Sequence, residues 1–387
     1  MISFGSIIPN QLTDMTAKAH SVRTFDIAVL PGDGIGVDVT REAVRVLQAL
    51  APSLDGVKFA YHEYSVGAGE YLRSGNPLPT AALDGCAKAD AVLLGAMGLP
   101  SVRWPDGREM TPQIDLREKL DLYAGPRPIK LYHGNDTPLK GYGSGGFPAA
   151  DVAPAAGKPP LPTIDFVIVR ENTEGLFSAR LSTQPSTDEA RDVLRLTRRG
   201  CERVIRFAFD LARKRRKHCT LVDKANVLPS MVFFRRIFDE IAAHYPDVAT
   251  ERVYVDAMAL FLVRKPEAFD VIVTENMFGD ILSDLAGGLV GGMGMAPSGD
   301  IGDDCAVFQP SHGTAPDIAG KGIANPVATI LSAAMMLEWL GHEQTVRAAR
   351  RIETAVQRVF DDPVNRTPDM GGKLTTTQMS EMIIAKL

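Results

Sequence analysis

The side chains best suited to chemistry in this chain are three arginines and a set of carboxylates, each beside apolar, structured sequence. Arg117 follows Leu116, Arg127 lies between Pro126 and Pro128, and Arg170 ends an apolar run. A guanidinium meets a carboxylate through paired hydrogen bonds, so three that converge would hold a di- or tricarboxylate. Three unrelated surface arginines would show the same spacing. In the stretch 276–284 (NMFGDILSD), Asp280 and Asp284 stand at i and i+4 of a predicted helix and share a face. Neighbouring carboxylates repel until a cation neutralises them, and oxygen ligands with room for water suit Mg²⁺ or Mn²⁺. Asp256, just past a predicted strand at 253–255, offers a third oxygen. The competing reading, a solvated acidic helix face, is weakened by Phe278, Ile281 and Leu282, which make the segment largely apolar. Lys224 follows another predicted strand; with a lowered pKa it could exchange a proton with a substrate hydroxyl, although an ordinary surface lysine fits the position too. The stretch 312–320 (HGTAPDIAG) is a glycine-bounded loop, and Asn325-Pro326 start the next helix. Backbone N–H groups, a carboxylate and an amide there could seat an adenosine, with Asp317 taking both ribose hydroxyls. A plain connecting loop is the alternative.

These residues need elements to carry them. A strand at 25–30 runs into the turn 31–36, and a helix follows over 38–50, with Val39, Ala43, Val46, Leu47 and Leu50 at helical spacing. The turn reads G-x-G-x-G, and no acidic residue closes a clear second strand, so the dinucleotide fingerprint is rejected and the glycines are read as simple turn geometry. Further strands are expected at 87–95, 163–170, 220–222, 253–255 and 271–274. Leu120 to Pro126 leads out of a helix into a basic segment. Thr197 is the N-cap of a helix whose Cys201, Val204, Ile205, Ala208, Leu211 and Ala212 share a face. Helices at 324–340 and 342–360 close the chain. The alternation is that of an α/β protein. Residues 134–162, crowded with Gly, Pro and Ala, read as a long surface loop. Residues 1–23 read as a frayed extension or a lid strand.

Composition narrows the partners. At 387 residues, 45% hydrophobic and 23% charged, the chain is ordinary for a soluble globular protein of two domains or one large unit. A net charge of −5 argues against a general affinity for nucleic acid or anionic lipid. The cationic run 213–218 (RKRRKH) therefore reads as a solvated helix end, where cations complement the macrodipole, rather than an RNA site. Four scattered cysteines form no C-x-x-C and suit a reducing, cytoplasmic setting. No targeting segment and no stretch of transmembrane length stands out, so no membrane is expected.

Together the segments resemble the β-decarboxylating dehydrogenases: the isopropylmalate, isocitrate, homoisocitrate, tartrate and D-malate dehydrogenases. The matching motifs are LPGDGIG (30–36), LREKLDLYAGPRP (116–128), VRENTEG (169–175), ARKRRKH (212–218), VDKANVL (222–228), YVDAMA (254–259), NMFGDILSDLA (276–286) and HGTAPDIAGKGIANP (312–326). They run in family order, and the isopropylmalate branch is the nearest. The resemblance implies a two-domain isopropylmalate-dehydrogenase-like α/β fold with no Rossmann unit and one continuous sheet in each domain. An extension, 1–24, precedes a first domain of 25–123 plus 287–387 that carries the cofactor loop; 124–286 forms the second, with the dimer contact. It implies a homodimer with shared active sites. Arg117, Arg127 and Arg170 would grip the substrate carboxylates. Asp280 and Asp284 of one subunit and Asp256 of the other would hold Mg²⁺ or Mn²⁺. Lys224, also from the neighbour, would assist proton removal. His312, Gly313, Thr314, Ala315, Pro316, Asp317, Ile318 and Asn325 would line the nucleotide site. NAD⁺ is the implied cofactor, because Asp317 would repel a 2′-phosphate where NADP-using relatives carry Lys and Tyr at 317 and 318. The implied reaction is NAD-dependent oxidative decarboxylation of an (R)-2-hydroxy dicarboxylic acid.

Three positions depart from the family pattern. Phe177 stands where a tyrosine usually protonates the enol. Gln113 and Ile114 stand where isopropylmalate enzymes carry two leucines, which makes the substrate pocket more polar and points to a D-malate- or tartrate-like diacid as well as to an isopropylmalate-like one. Gln309 replaces a glutamate that precedes the loop histidine. The alternatives are 3-isopropylmalate dehydrogenase proper, or a family member that has lost turnover and acts as a binding protein.

Overall fold

The computed structural model describes residues 22–143, 161–180 and 186–387. Its strands are β1 (Arg23–Gly32), β2 (Val57–Glu63), β3 (Ala91–Ala96), β4 (Ala124–Lys130), β5 (Asp165–Glu171), β6 (His218–Asp223), β7 (Ala249–Tyr254), β8 (Val271–Thr274), β9 (Pro297–Ile301) and β10 (Ala306–Pro310). Its helices are α1 (Ile35–Leu50), α2 (Ala68–Ser74), α3 (Thr80–Lys88), α4 (Pro112–Lys119), α5 (Arg198–Lys214), α6 (Pro229–Ala242), α7 (Val255–Arg264), α8 (Asn276–Gly288), α9 (Val327–Trp339), α10 (Glu343–Phe360) and α11 (Thr376–Ile384).

The α/β class is the one expected, and the two expected sheets are in fact one. All ten strands follow the order β2-β1-β3-β10-β9-β4-β5-β8-β6-β7. Two parallel halves meet at the antiparallel strands β10, β9, β4 and β5, and Ala124 opposite Ile301 is the pairing that joins β4 to β9. Neither this order nor the mixed direction is that of a Rossmann unit. The strand β4 is the segment read only as basic: Pro126 and Pro128 obscure its pattern, yet it pairs with β5 from Ala124↔Glu171 to Lys130↔Asp165.

Strand alternation explains the layers. On β5, Val167 and Val169 join the core that contains Val204, Ile205 and Ala208 of α5, while Phe166 and Ile168 face Met258 of α7 and Leu282 of α8. The α5 core also holds Ile27 and Val29 of β1 and Val46 of α1, so a single apolar layer runs along one face of the whole sheet. Thr197 caps α5 as expected, its side chain accepting from the Gly200 amide.

The glycine turn after β1 spends its helix-start amide on the protein itself rather than leaving it for a phosphate. The Ile35 amide at the start of α1 donates to the Thr314 carbonyl, and a Cβ on Gly34 (φ +57°) would stand 2.1 Å from that oxygen. Asp33 accepts from the amides of Ala68, Gly69 and Gly98. The turn is thus a staple between loops, as the rejection of the fingerprint requires.

Three further readings change. The cationic run is not solvated throughout: Arg215 is buried and paired with Asp165 and Asp270, and Arg213 pairs with Asp247. The first strand begins at Arg23, two residues before the expected start, and Val255 opens α7 instead of ending a strand. Residues 1–21 of the expected extension and 144–160 of the expected loop lie outside the described residues. Among the described residues no helix is long and apolar enough to cross a membrane, and all four cysteines are free and buried.

Candidate functional site

The acidic helix is fixed first. Glu275 is the N-cap of α8, its carboxylate accepting from the Phe278 amide at 2.6 Å. Gly279 lets α8 lie against β5, since a Cβ there would be 2.7 Å from the Arg170 side chain. Asp280 and Asp284 then stand one turn apart beside Arg127, whose Nη1 is 3.3 Å from one carboxylate and 3.6 Å from the other. The same Nη1 donates to Ser283 Oγ at 2.6 Å.

The antiparallel pairing of β4 with β5 sets Arg127 and Arg170 on neighbouring strands. Arg170 donates from Nε and Nη2 to Asn276 Oδ1 at 3.0 and 2.6 Å, and pairs with Asp280 through Nη1. Arg117 reaches in from α4 and donates from Nε to Asp300 of β9 at 2.9 Å. All three arginines are buried, and they line one cavity of about 190 Å³ together with Gln113, Ile114, Phe177, Asp280, Gln309 and His312. The convergence that spacing left open is therefore real. Burial, with repulsion from Arg127 and Arg117, pushes the Arg170 guanidinium down to about 9; burial lowers Arg127 as well, Arg117 adding to it while Asp280 opposes it. Cations crowded into one cavity would be stabilised by an entering anion such as a dicarboxylate.

Lys224 lies just beyond β6, where Arg235 clamps the buried Asp223 through two bonds of 2.7 Å. Its Nζ lies 2.7 Å from Asp256 Oδ1, in the first turn of α7, and this bond holds the Asp256 carboxyl below its ordinary range. Asp256 does not join Asp280 and Asp284: among the described residues no group of three His, Cys, Asp or Glu side chains is placed to hold an ion. Within one chain Arg127 and Arg170 supply the positive charge that the paired aspartates need.

The cofactor loop divides into parts. His312 borders both the arginine cavity and a second, mostly apolar cavity of about 420 Å³ lined by Ile35, Ile318, Ala324, Asn325 and Asp369. Its Nδ1 lies 2.9 Å from the Gly313 carbonyl, a partner that only accepts, so the neutral ring carries its proton there. Burial lowers its pKa, and Nε2 faces no hydrogen-bond partner. Gly313 lines the arginine cavity. Thr314 is buried, its carbonyl spent on α1, Ala315 packs beside Ile35 and Val39, and Pro316 and Asp317 are exposed. Gly320 is tied to Asp38 of α1.

The departures also have places. Gln113 Oε1 is buried at the cavity, without a partner among the described residues. The Phe177 ring lies beneath the Arg170 guanidinium. Gln309 donates to Asp300. Sequence reasoning passed over Ser283, Asn172, Ser298, Ser311 and Asp300. Ser283 could have been found at i+3 from Asp280; Asp300 could not, because its place depends on the register of β9.

A family model described as isocitrate/isopropylmalate dehydrogenase matches residues 26–384. The chain is 40% identical over 379 residues to 3-isopropylmalate dehydrogenase of Aquifex aeolicus, covering 95% of this chain and 98% of the relative. Among solved structures, isocitrate dehydrogenase of Methylococcus capsulatus is similar at a TM-score of 0.80 and 39% identity, over 94% of this chain and 99% of its own. A β-decarboxylating dehydrogenase of Thermococcus kodakarensis is similar at a TM-score of 0.73 and 38% identity, over 94% and 96%.

Proposed function

Because the chain belongs to the isocitrate/isopropylmalate dehydrogenase family, we propose that it oxidises and decarboxylates an (R)-2-hydroxy dicarboxylic acid with NAD⁺ and Mg²⁺ or Mn²⁺. The observation that carries this reading is the convergence of Arg117, Arg127 and Arg170 on one small cavity beside Asp280. The donor set fits a hard divalent cation: two aspartates a turn apart, their side chains 39% and 59% exposed. When bound, the cation would supply Lewis acidity at the substrate's hydroxyl oxygen as it becomes a carbonyl, and NAD⁺ would supply the hydride acceptor. The arginines bind and orient the two carboxylates. Lys224 of a second copy assists removal of the hydroxyl proton, with Asp256 of that copy as the third carboxylate. Leu260 and Val263 of α7 and Ile281 of α8 leave an apolar surface beside these groups, which supports such a homodimer. The chain division at 123/124 and 286/287 and a cytoplasmic setting belong to the same reading. His312 borders both cavities, the arginine cavity for the diacid and the one lined by Ile318 and Asn325 for the adenosine end of the cofactor. Exposed Asp317 and apolar Ile318 give a 2′-phosphate no partner, which favours NAD⁺ over NADP⁺. Phe177 has no proton to give, so the last protonation falls to water or to another donor.

Gln113 supports a small or polar C3 substituent. Its buried, unpartnered oxygen accepts from a hydroxyl or from water, whereas an isopropyl group leaves it unsatisfied at a cost of about 1–3 kcal/mol. A second reading, 3-isopropylmalate itself, is favoured by the relatives' names and by Met97, Ile114 and Phe177 on the cavity wall. The test is NADH formation with Mn²⁺ from D-malate, both tartrate enantiomers, isocitrate, homoisocitrate and 3-isopropylmalate, each repeated with NADP⁺. Turnover of a small diacid supports the first reading and preference for 3-isopropylmalate the second. Binding of metal and diacid with no turnover would instead mean a binding protein.

A further inference from the structure

Arg117 owes its aim to a residue outside its own helix. Its Nε donates to Asp300 Oδ2 at 2.9 Å, and among the described residues its two Nη nitrogens carry no further hydrogen bond. Asp300 is 2% exposed on β9. The same carboxylate accepts from Asn172 Nδ2, just past β5, at 2.8 Å, and from Gln309 Nε2 on β10. Three donors from separate parts of the fold thus close on one buried acceptor, and two of them, Arg117 and Gln309, line the arginine cavity. A buried carboxylate is costly unless paired, and pairing at Nε leaves the two Nη groups, which form the fork onto a carboxylate, for the cavity. Gln309 stands three residues before His312, so the anchor that orients the arginine also fixes the strand leading to the wall between the cavities.

We propose that Asp300 is a positioning residue for substrate binding: it orients the Arg117 guanidinium toward the diacid and ties that orientation to the cofactor side through Gln309. This rests on the reading of Arg117 as a carboxylate-binding residue.

The experiment compares Asp300→Asn, Arg117→Lys and the double variant on the panel diacid that binds best. Calorimetric Kd, KM and kcat are measured, with the melting temperature as a check on folding. Asp300→Asn should raise Kd and KM about tenfold and move kcat less than about threefold. The double variant should bind within about twofold of Arg117→Lys alone, because both changes remove the same oriented contact. A melted Asp300→Asn protein would be replaced by Asn172→Ala, which removes one donor to Asp300 from outside the cavity lining and should raise Kd about threefold. If Arg117→Lys weakens binding while Asp300→Asn, or its replacement, does not, the Asp300 proposal alone falls. It also falls if the two losses simply add. If Arg117→Lys changes nothing, or the wild type binds no panel diacid, the reading of the cavity is wrong and Asp300 loses its role with it.

Discussion

The Arg170 guanidinium carbon lies 5.3 Å from the centre of the Phe177 ring, so the side chain beneath this buried cation is one that cannot donate a proton. A tyrosine at this position would keep the cation–π contact and add a hydroxyl facing the cavity. Phe177→Tyr is expected to raise kcat by about tenfold or more if protonation limits turnover, since a positioned acid contributes roughly 10²–10⁴-fold. The diacid KM should move less than about twofold. Steady-state kinetics in H₂O and D₂O check this; an unchanged kcat means that protonation by another donor already outruns the other steps.

Arg127 offers a sharper loss. Its Nη1 is shared among Ser283, Asp280 and Asp284, and a lysine ammonium cannot reproduce the planar fork. Arg127→Lys should lower kcat/KM by roughly five- to 150-fold, a loss of about 1–3 kcal/mol of transition-state stabilisation. An unaltered kcat/KM removes Arg127 from the substrate site.

Metal binding can be read without turnover. Mn²⁺ should raise the melting temperature of the wild type progressively with its concentration, the stabilisation growing as the logarithm of one plus the ratio of free Mn²⁺ to Kd. Asp284→Asn, at a side chain 59% exposed, should leave the metal-free melting temperature nearly unchanged and abolish most of the Mn²⁺ shift. Persistence of the full shift would exclude Asp284 as a ligand.

Selectivity should follow Gln113. Replacing its buried oxygen with methyl groups favours an apolar substituent, so Gln113→Leu should move the ratio of kcat/KM for 3-isopropylmalate over that for a small diacid upward by about tenfold. Competition between the two substrates measures the ratio directly.

Stability should carry a pH signature at Glu171, which is 1% exposed at the end of β5. Burial pushes its carboxyl from 4.5 up to about 7, against the Thr173 and Glu174 amides that favour the charged form. The folded chain therefore binds more protons than the unfolded chain between those two values. Stability falls as pH rises through that window, and the penalty, on the order of 3 kcal/mol, is complete above about pH 7. Glu171→Gln has no such titration, so its melting temperature should gain a few degrees on the wild type between about pH 5 and about pH 8. A constant gap across that range would show that Glu171 titrates normally.

Much of this site was legible before any fold was known. The i, i+4 spacing of Asp280 and Asp284 carries through because helix geometry is local, and Thr197 caps α5 for the same reason. Gly32 and Gly34 were readable as turn geometry because their positive backbone angles are a local demand. Less was legible where prolines and polar residues hide a strand. β4 and β9 lack an apolar period, so the sequence does not show that they join the two parallel halves into one sheet.

By itself the sequence determined which groups exist, which of them share a helix face, and that strands and helices alternate along the chain. Only the tertiary structure decided that Arg117, Arg127 and Arg170 surround one cavity, that Asp256 pairs with Lys224 away from Asp280, and that Asp300 holds Arg117 in place. Local geometry sets neighbours within a turn or along a strand. The bond from Arg117 to Asp300 spans 183 residues, and such a contact exists only once β9 has found its register between β4 and β10.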